Sequence, residues 1–211
     1  MGLFSRSKTG NKVQGTIGYF NLIDWWLSEF SEIERDHIVN TYSPMGGSGR
    51  SLVEGHCLGY SQSVEQFLSL LASWFNNAND RSIAVRILKK AEEMIGDSAK
   101  ILDKHFFYQQ KIETYYKQRD TDPDALTIAI DACRQQIELA PQAIKIFRRQ
   151  SSDGFMPSHT GFKQLMIIEE KNKNYTVVIE LAQDAKSQGW RGDWEKRIER
   201  CKKKIGKVGG N

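Results

Sequence analysis

The chain has little proline, little cysteine and no long apolar run. Its four prolines lie where a helix should begin or a turn should occur, so few positions interrupt a helix. Its three cysteines include no CxxC pair, which favours reduced thiols over a disulfide framework. No apolar run approaches the roughly 20 residues that span a bilayer, and the first residues lack a secretory signal. We therefore expect a cytoplasmic protein with no membrane partner.

Motifs that would carry catalysis, a metal or a cofactor are also missing. His56 and Cys57 are adjacent, but no second pair of ligands lies nearby, which makes a poor zinc site. The Gly-rich stretch MGGSGRS (45–51) lacks the spacing and the lysine of a phosphate-binding loop, and we interpret it as a flexible connector. The sequence therefore predicts no catalytic residue, no cofactor, no metal and no enzymatic activity.

Neither sign of charge dominates the chain. The net charge is +4, and much of it lies in EKRIERCKKKIGK (195–207). A solvated final helix, whose basic residues favour its C-terminal dipole, is the simpler interpretation and disfavours nucleic acid as a partner. A nucleic-acid-binding accessory protein that works through this basic C-terminus is kept as an alternative.

Composition predicts four segments along the chain. Residues 1–17 are rich in Gly, Ser, Lys and Asn and should form a disordered leader. Residues 18–60 should form an aromatic helical extension that ends in the Gly-rich loop. Residues 61–205 should form a domain of helical repeats, and residues 206–211 a flexible tail.

The densest aromatic cluster lies in the N-terminal extension. Trp25, Trp26 and Phe30 fall on one face of a helix. Packing against the first repeat is the simpler interpretation, because an exposed patch of this size would favour aggregation. A partner-binding surface is the alternative.

Helical periodicity continues from Ser61 almost to the end. The predicted spans are 62–76, 80–95, 98–118, 123–139, 141–150, 159–172, 175–188 and 193–204. The stretch KNKNYTVVIELAQDAK (171–186) has a β-branched run, yet its spacing places an apolar stripe on one helical face, so we predict a helix. Ser158 is predicted to cap the helix that begins at 159.

Two stretches share one pattern of large, small and aromatic residues on paired helices. The first, residues 65–98, has it at Leu68, Leu71, Ala72 and Phe75 and then at Ala84, Leu88 and Ala91. The last, residues 159–192, has it at Phe162, Leu165 and Met166 and then at Tyr175, Val178, Ala182 and Ala185. The spacing from Phe75 to Ala84 equals that from Glu169 to Val178, so the two stretches share a register.

A middle stretch carries a third, altered copy. Its pattern begins at Tyr108, Ile112 and Tyr115 and ends at Ala129, Cys133, Ile137 and Pro141. Tyr115 and Ala129 are farther apart than the matching residues of the other copies. Either this copy is longer, or its register is displaced by more than a turn.

Across roughly residues 62–192 the chain resembles the tetratricopeptide-repeat (TPR) superfamily, in degenerate form. In WFNNANDRSIAVRILKKAEE, IELAPQAIKIFRRQ and QGWRGDWEKRIER it is similar to bacterial TPR-like proteins of unassigned function. The resemblance implies an all-α fold in which antiparallel helical hairpins stack as a short α-solenoid. The aromatic extension would precede the solenoid, and a C-terminal helix with Trp190 and Trp194 would cap it.

In TPR proteins the first helices of successive hairpins line a concave groove that binds peptides or partner helices. Carried over by this resemblance, the groove positions are Ser69, Ser73, Asn76, Asn77, Gln109, Glu113, Tyr116, Lys117, Lys163, Ile167, Glu170 and Lys171. These residues are polar and mixed in charge, without the concentrated Lys and Arg that would single out an acidic C-terminal peptide.

We therefore expect a non-enzymatic scaffold or adaptor that binds a protein or peptide. Self-association is left open. The further alternative is an enzyme or small-ligand-binding protein with a pocket between the N-terminal region and the repeats, which would require strongly perturbed titratable groups clustered in one cleft.

Overall fold

A computed structural model describes residues 13–44 and 46–208. Within these ranges the chain forms ten α-helices and one 3-10 helix. The described residues contain no β-strand, and an isolated bridge joins Ser158 to Arg191. The predicted all-α class is confirmed. None of the described helices is both long and apolar enough to cross a membrane.

The chain divides into two units between Gln62 and Ser63, whereas composition predicts the boundary between residues 60 and 61. The first unit contains α1 (Gly15–Tyr19), α2 (Ile23–Glu29), α3 (Glu32–Thr41) and a 3-10 helix (Gly49–Leu52). The second contains α4 (Val64–Ser73), α5 (Arg81–Met94), α6 (Ile101–Gln118), α7 (Ala125–Gln150), α8 (Thr160–Lys171), α9 (Tyr175–Gln188) and α10 (Trp194–Val208).

Residues 13–17, the end of the predicted disordered leader, belong to the fold of the first unit. The N–H groups of Gln14 and Gly15 donate to carbonyl oxygens just after the 3-10 helix, at 2.9 and 3.0 Å, and Ile17 is fully buried. The leader prediction is wrong for these residues, because backbone hydrogen bonds can hold a polar segment that has no apolar pattern. The other residues of the predicted leader, 1–12, lie outside the described residues.

The Gly-rich stretch 45–51 is more than a connector. Gly49 begins the 3-10 helix and is buried, as is Leu52. A Cβ atom on Gly49 would overlap the carbonyl oxygen of Val39 and lie 2.5 Å from that of Tyr42. The interpretation as a flexible connector is wrong at Gly49, because glycine serves there to let two backbone segments approach closely.

The aromatic cluster of the first unit is mostly buried. Trp26 and Phe30 are each 1% exposed, whereas Trp25 is half-buried. The rings of Trp25 and Phe30 meet edge to face with their centroids 5.4 Å apart, an arrangement that aromatic rings favour. Trp26 and Phe30 are therefore core residues rather than an exposed binding surface.

In the second unit, helices pair as hairpins: α4 with α5, α6 with α7 and α8 with α9. The short connections within the outer pairs make their two helices antiparallel. All seven residues predicted for the core of the first hairpin are at most 1% exposed. Three of them are alanines, which let α4 and α5 approach closely while leucine and phenylalanine fill the space between them.

The third hairpin settles the ambiguous stretch 171–186. Helix α9 runs from Tyr175 to Gln188, with Val178, Ala182 and Ala185 fully buried. The helix prediction is confirmed. Packing of this buried stripe overrides the lower helix propensity of the β-branched residues, which amounts to a few tenths of a kcal/mol for each.

The middle hairpin has longer helices than its neighbours. Tyr115 of α6 packs in one buried cluster with Ala125 and Ala129 of α7. The additional residues lie in the helices, because the turn 119–124 is no longer than the turn 74–80 between α4 and α5.

Helix α7 is continuous from Ala125 to Gln150 and has Pro141 inside it. The prediction that a new helix begins at this proline is wrong. Ala140, Ala143 and Ile144 carry the buried face of the helix past the proline. Packing of that face outweighs the cost of an interior proline, about 3 kcal/mol.

Helix α10 packs on α9. Trp190 and Trp194 are 2% and 4% exposed and share one buried cluster with residues of α9 and α10. The helix continues to Val208, so the predicted flexible tail is wrong for residues 206–208, where basic side chains favour the C-terminal end of a helix. Residues 209–211 lie outside the described residues.

Candidate partner-binding surface

The C-terminal ends of α4, α6 and α8 meet at one surface of the second unit. These helices are the first members of the three hairpins, and α6 packs against both α4 and α8. Asn76 follows the end of α4, while Lys117 and Lys171 lie in the last turns of α6 and α8. Polar residues from three distant parts of the sequence therefore come together.

Two hydrogen bonds link these helix ends. Lys117 Nζ donates to the carbonyl oxygen of Asn76 at 3.2 Å, and Lys171 Nζ donates to Tyr116 Oη at 3.2 Å. The guanidinium carbon of Arg119 lies 4.4 Å from the centre of the Tyr116 ring, in a cation–π contact. Asn76, Tyr116, Lys117 and Lys171, all predicted groove residues, form what we call the helix-end row.

Two other predicted groove residues have structural roles instead. Ser69 is 2% exposed, and its hydroxyl donates to the carbonyl oxygen of Glu65 at 2.7 Å, so it is inaccessible to a partner. The reason is that a small residue here lies inside the helix packing, where its hydroxyl is satisfied within its own helix. Asn77 Oδ1 accepts from the N–H groups of Asn79 and Asp80 and stabilises the turn before α5.

The remaining predicted positions differ in exposure. Lys163 is exposed, whereas Ser73, Gln109, Glu113 and Ile167 are half-buried. The amide of Gln109 donates to Glu113 Oε1 at 3.2 Å, so these two side chains partly satisfy each other. Lys163 is therefore the most accessible of this group.

Glu170 joins α8 to α10 through three cations. Its carboxylate accepts two hydrogen bonds from Arg200, each at 2.8 Å, and one from Lys204 at 3.0 Å. Arg197, which is 7% exposed, lies 3.5 Å away. The hydrogen bonds from Arg200, with those from Lys204, lower the pKa of Glu170 to about 2. The TPR resemblance places Glu170 in the groove but gives no sign of this ion-pair network.

Replacing Glu170 by Gln should destabilise the second unit by about 2 kcal/mol, because Arg197 would keep its buried charge without a carboxylate. Urea unfolding followed by circular dichroism at neutral pH measures this loss. Glu199→Gln is the matched control: Glu199 pairs with Lys203 at 2.7 Å, but both side chains are exposed, so its loss should be much smaller than that of Glu170→Gln. Equal losses in the two variants would contradict the structural role of Glu170.

No family model, curated protein or solved structure matches the chain. The TPR resemblance therefore depends on the residue pattern of the sequence.

Two buried histidines meet at the junction of α6, α7 and α8. His105 and His159 are 2% and 0% exposed, and their ring centroids lie 5.1 Å apart. Both rings pack on Trp190, at 5.7 and 4.7 Å. Gln136 completes the junction. Its side-chain N–H donates to the carbonyl oxygen of His105, and its side-chain oxygen accepts from the N–H group of Gly161 in α8.

His159, and not Ser158, caps the N-terminus of α8. Its Nδ1 accepts a hydrogen bond from the N–H group of Phe162 at 3.2 Å, so the neutral ring carries its proton on Nε2. Burial lowers the pKa of His159 to about 3, with the nearby His105 as a second cause, and burial lowers the pKa of His105 to about 4. The capping prediction for Ser158 is wrong, because sequence rules favour serine and do not anticipate a buried imidazole acceptor.

This histidine pair has the residue type of a catalytic acid or base, yet it does not line an open cleft. Both rings are almost completely buried, and burial is the first cause of each lowered pKa. A catalytic pair would need access to substrate and a partner to exchange protons with. We interpret His105 and His159 as packing and capping residues.

Proposed function

We propose that the chain is a non-enzymatic, TPR-like scaffold of the cytoplasm, whose second unit binds a protein or peptide along the ends of α4, α6 and α8. The observation that carries the proposal is the helix-end row, which brings polar residues of three hairpins to one surface. Phenol and ammonium groups of this kind can bind both the backbone and the side chains of an extended segment.

The order of helix contacts supports a solenoid-like arrangement. Each first helix packs against the second helix of its own hairpin and against the first helix of the next hairpin. Helix α5 also packs on α6, and α7 on α8. Contacts that join each hairpin mainly to its neighbours are typical of helical repeat proteins, whose extended surfaces bind partners.

A triple alanine variant at Lys117, Lys163 and Lys171 tests this surface. Glu170 is left unchanged, because its loss would disturb the packing of α10 on α8. Immobilised protein is incubated with native lysate of the source organism, and captured proteins are quantified by mass spectrometry. The amount of a specific partner should fall by at least about tenfold, since each lysine contributes up to about 1 kcal/mol at the edge of an interface.

The matched control replaces three exposed lysines of α5, α7 and α10, namely Lys89, Lys145 and Lys202, so that the net charge changes equally. Its partners should be retained. The same partners in wild type and in both variants would contradict the proposed surface. If nucleic acid is captured and every captured protein is lost on nuclease treatment, the nucleic-acid alternative is favoured.

A further inference from the structure

Helix α10 has a continuous basic face. Lys196, Arg200, Lys203 and Lys207 follow one another at intervals of three or four residues, so they lie on one side of the helix. Arg197 and Lys204 border this side towards Glu170. We call the four residues together with Arg197 and Lys204 the α10 basic face.

The basic face carries more positive charge than the protein neutralises. Glu170 and Glu199 are the carboxylates that contact it, through Arg197, Arg200 and Lys204 and through Lys203, respectively. Among residues 13–44 and 46–208, no carboxylate lies within ion-pair distance of Lys196 or Lys207. Six cations therefore face two carboxylates. The excess positive charge is available to bind a polyanion.

Two shallow clefts, both largely open to solvent, lie along this surface. One shallow cleft of about 360 Å³ runs along α10 and includes Lys196, Lys203 and Lys207 in its lining. Another, of about 330 Å³, lies between α8 and α10 and includes Lys171 of the helix-end row. Arg200 and Lys204 line both clefts, so the α10 basic face and the helix-end row are parts of one surface.

The contact between Glu170 and Arg200 shows which kind of anion this surface can bind. Arg200 donates from Nε and Nη2 to the two carboxylate oxygens, each at 2.8 Å. Such a two-pronged contact matches the planar geometry of a carboxylate. Glu170 occupies Arg200, so this contact is an internal example of a carboxylate bound at the face, and the carboxylates of a partner would meet Lys196, Lys203 and Lys207.

The spacing of the cations fits an extended chain. Residues four apart on a helix lie about 6 Å apart along its axis. Alternate side chains of an extended peptide lie about 6.6 Å apart on one face. Carboxylates at every second position of a bound segment would therefore match Lys203 and Lys207, which are four residues apart, and Lys196 lies two turns earlier on the same face. Arg200 and Lys204 are already paired with Glu170 and contribute positive potential rather than free contacts.

We propose that the surface formed by α8 and α10 binds an extended acidic segment of a partner protein, with Asp or Glu at alternate positions. This inference rests on the proposed scaffold function and names the chemistry of the partner. Single-stranded nucleic acid fits less well, because it stacks bases on open aromatic rings. Here Arg119 lies over the ring of Tyr116 at 4.4 Å, and Lys204 over that of Tyr175 at 5.2 Å.

The test uses the full-length protein and a short fluorescent peptide of alternating Glu and Ser, followed by fluorescence anisotropy. A peptide of alternating Lys and Ser and a single-stranded oligothymidylate of equal charge are measured beside it. The face variant Lys196→Glu, Lys203→Glu, Lys207→Glu is compared with the control variant Lys89→Glu, Lys145→Glu, Lys202→Glu. The two variants have the same net charge, and circular dichroism verifies that both are folded. If the charge reversal unfolds α10, Lys→Gln replacements at the same face positions are used instead.

Wild type should bind the acidic peptide and not the basic one, and the face variant should raise the Kd at least about tenfold, with a smaller rise in the control. Raising the ionic strength should weaken binding. Equal weakening in both variants, tighter binding of the oligothymidylate, or no binding of the acidic peptide would each overturn the inference. If lysate partners persist without acidic-peptide binding, only this inference fails; if no partner is captured either, the scaffold proposal fails as well.

Discussion

Lowering the pH from 7 to 5 should weaken the second unit by roughly 3 kcal/mol, and most of this loss should come from His105 and His159. In the folded protein burial lowers the pKa of these two histidines to about 4 and about 3. In the unfolded chain each would titrate near its ordinary value of about 6.5.

The direction of the effect follows from proton binding. Below about pH 6.5 the unfolded chain binds a proton at each histidine, whereas the folded chain does not until about pH 4, so the free energy of unfolding falls as the pH falls. The slope approaches about 1.4 kcal/mol per pH unit for each histidine. Below the folded pKa values both states are protonated, and no further loss arises from this pair.

His105→Phe isolates the contribution of one histidine. Phenylalanine retains an aromatic ring against Trp190 and cannot be protonated, and His105 Nδ1 has no hydrogen-bond partner to lose. The variant should be as stable as wild type at pH 7 and should lose about half as much stability at pH 5. Urea unfolding at both pH values, with hydrogen exchange to locate the loss in the second unit, measures this difference.

The exposed His56 of the first unit supplies the control, as His56→Gln. It should change the stability of the second unit at neither pH. If wild type and His105→Phe lose the same stability between pH 7 and pH 5, groups other than His105 dominate the pH dependence of the free energy of unfolding.

The sequence predicted the all-α class and most helix positions, because the side chains that a helix buries recur every three or four residues and are apolar. The stretch 171–186 shows how firmly this holds. Its β-branched run contradicts local propensity, but Val178, Ala182 and Ala185 lie on one face, and all three are fully buried. Spacing reports the packing, which contributes more free energy than local propensity.

Errors arose where a residue has more than one physical use. Pro141 commonly starts or ends a helix, but it is tolerated inside α7 because the buried face continues beyond it. Glycine commonly confers flexibility, but Gly49 permits close backbone contact. Residue type alone does not distinguish these uses, because the neighbour that decides between them comes from another part of the chain.

The candidate surface was only partly predictable for a similar reason. The TPR resemblance predicts Asn76, Tyr116 and Lys171 as groove residues, and all three lie near the C-terminal ends of first helices. It gave no sign of the contact between Glu170 and α10, since the contacting residues are 30 or so positions apart and follow no repeat. Charged contacts of this kind depend on tertiary geometry, for which the sequence carries no periodic signal.

Gly49→Ala should destabilise the first unit by about 3 kcal/mol or more, which is a large fraction of the stability of a unit of this size. The new methyl group would overlap the carbonyl oxygen of Val39 and lie 2.5 Å from that of Tyr42. Both oxygens are backbone atoms at the end of α3, so no side-chain rotation relieves the overlap. Either α3 or the 3-10 helix would have to move, which would disturb the buried Leu52 as well.

Gly47→Ala is the matched control, two residues earlier in the same stretch. Its new Cβ would lie 3.4 Å from Pro44 Cγ, an ordinary van der Waals distance, and Gly47 is exposed. Hydrogen exchange of the amides of α3 separates the two cases: these amides should exchange much faster in Gly49→Ala and almost unchanged in Gly47→Ala. If the two variants exchange alike, the stretch is a connector after all, and the close approach at Gly49 does not hold the first unit together.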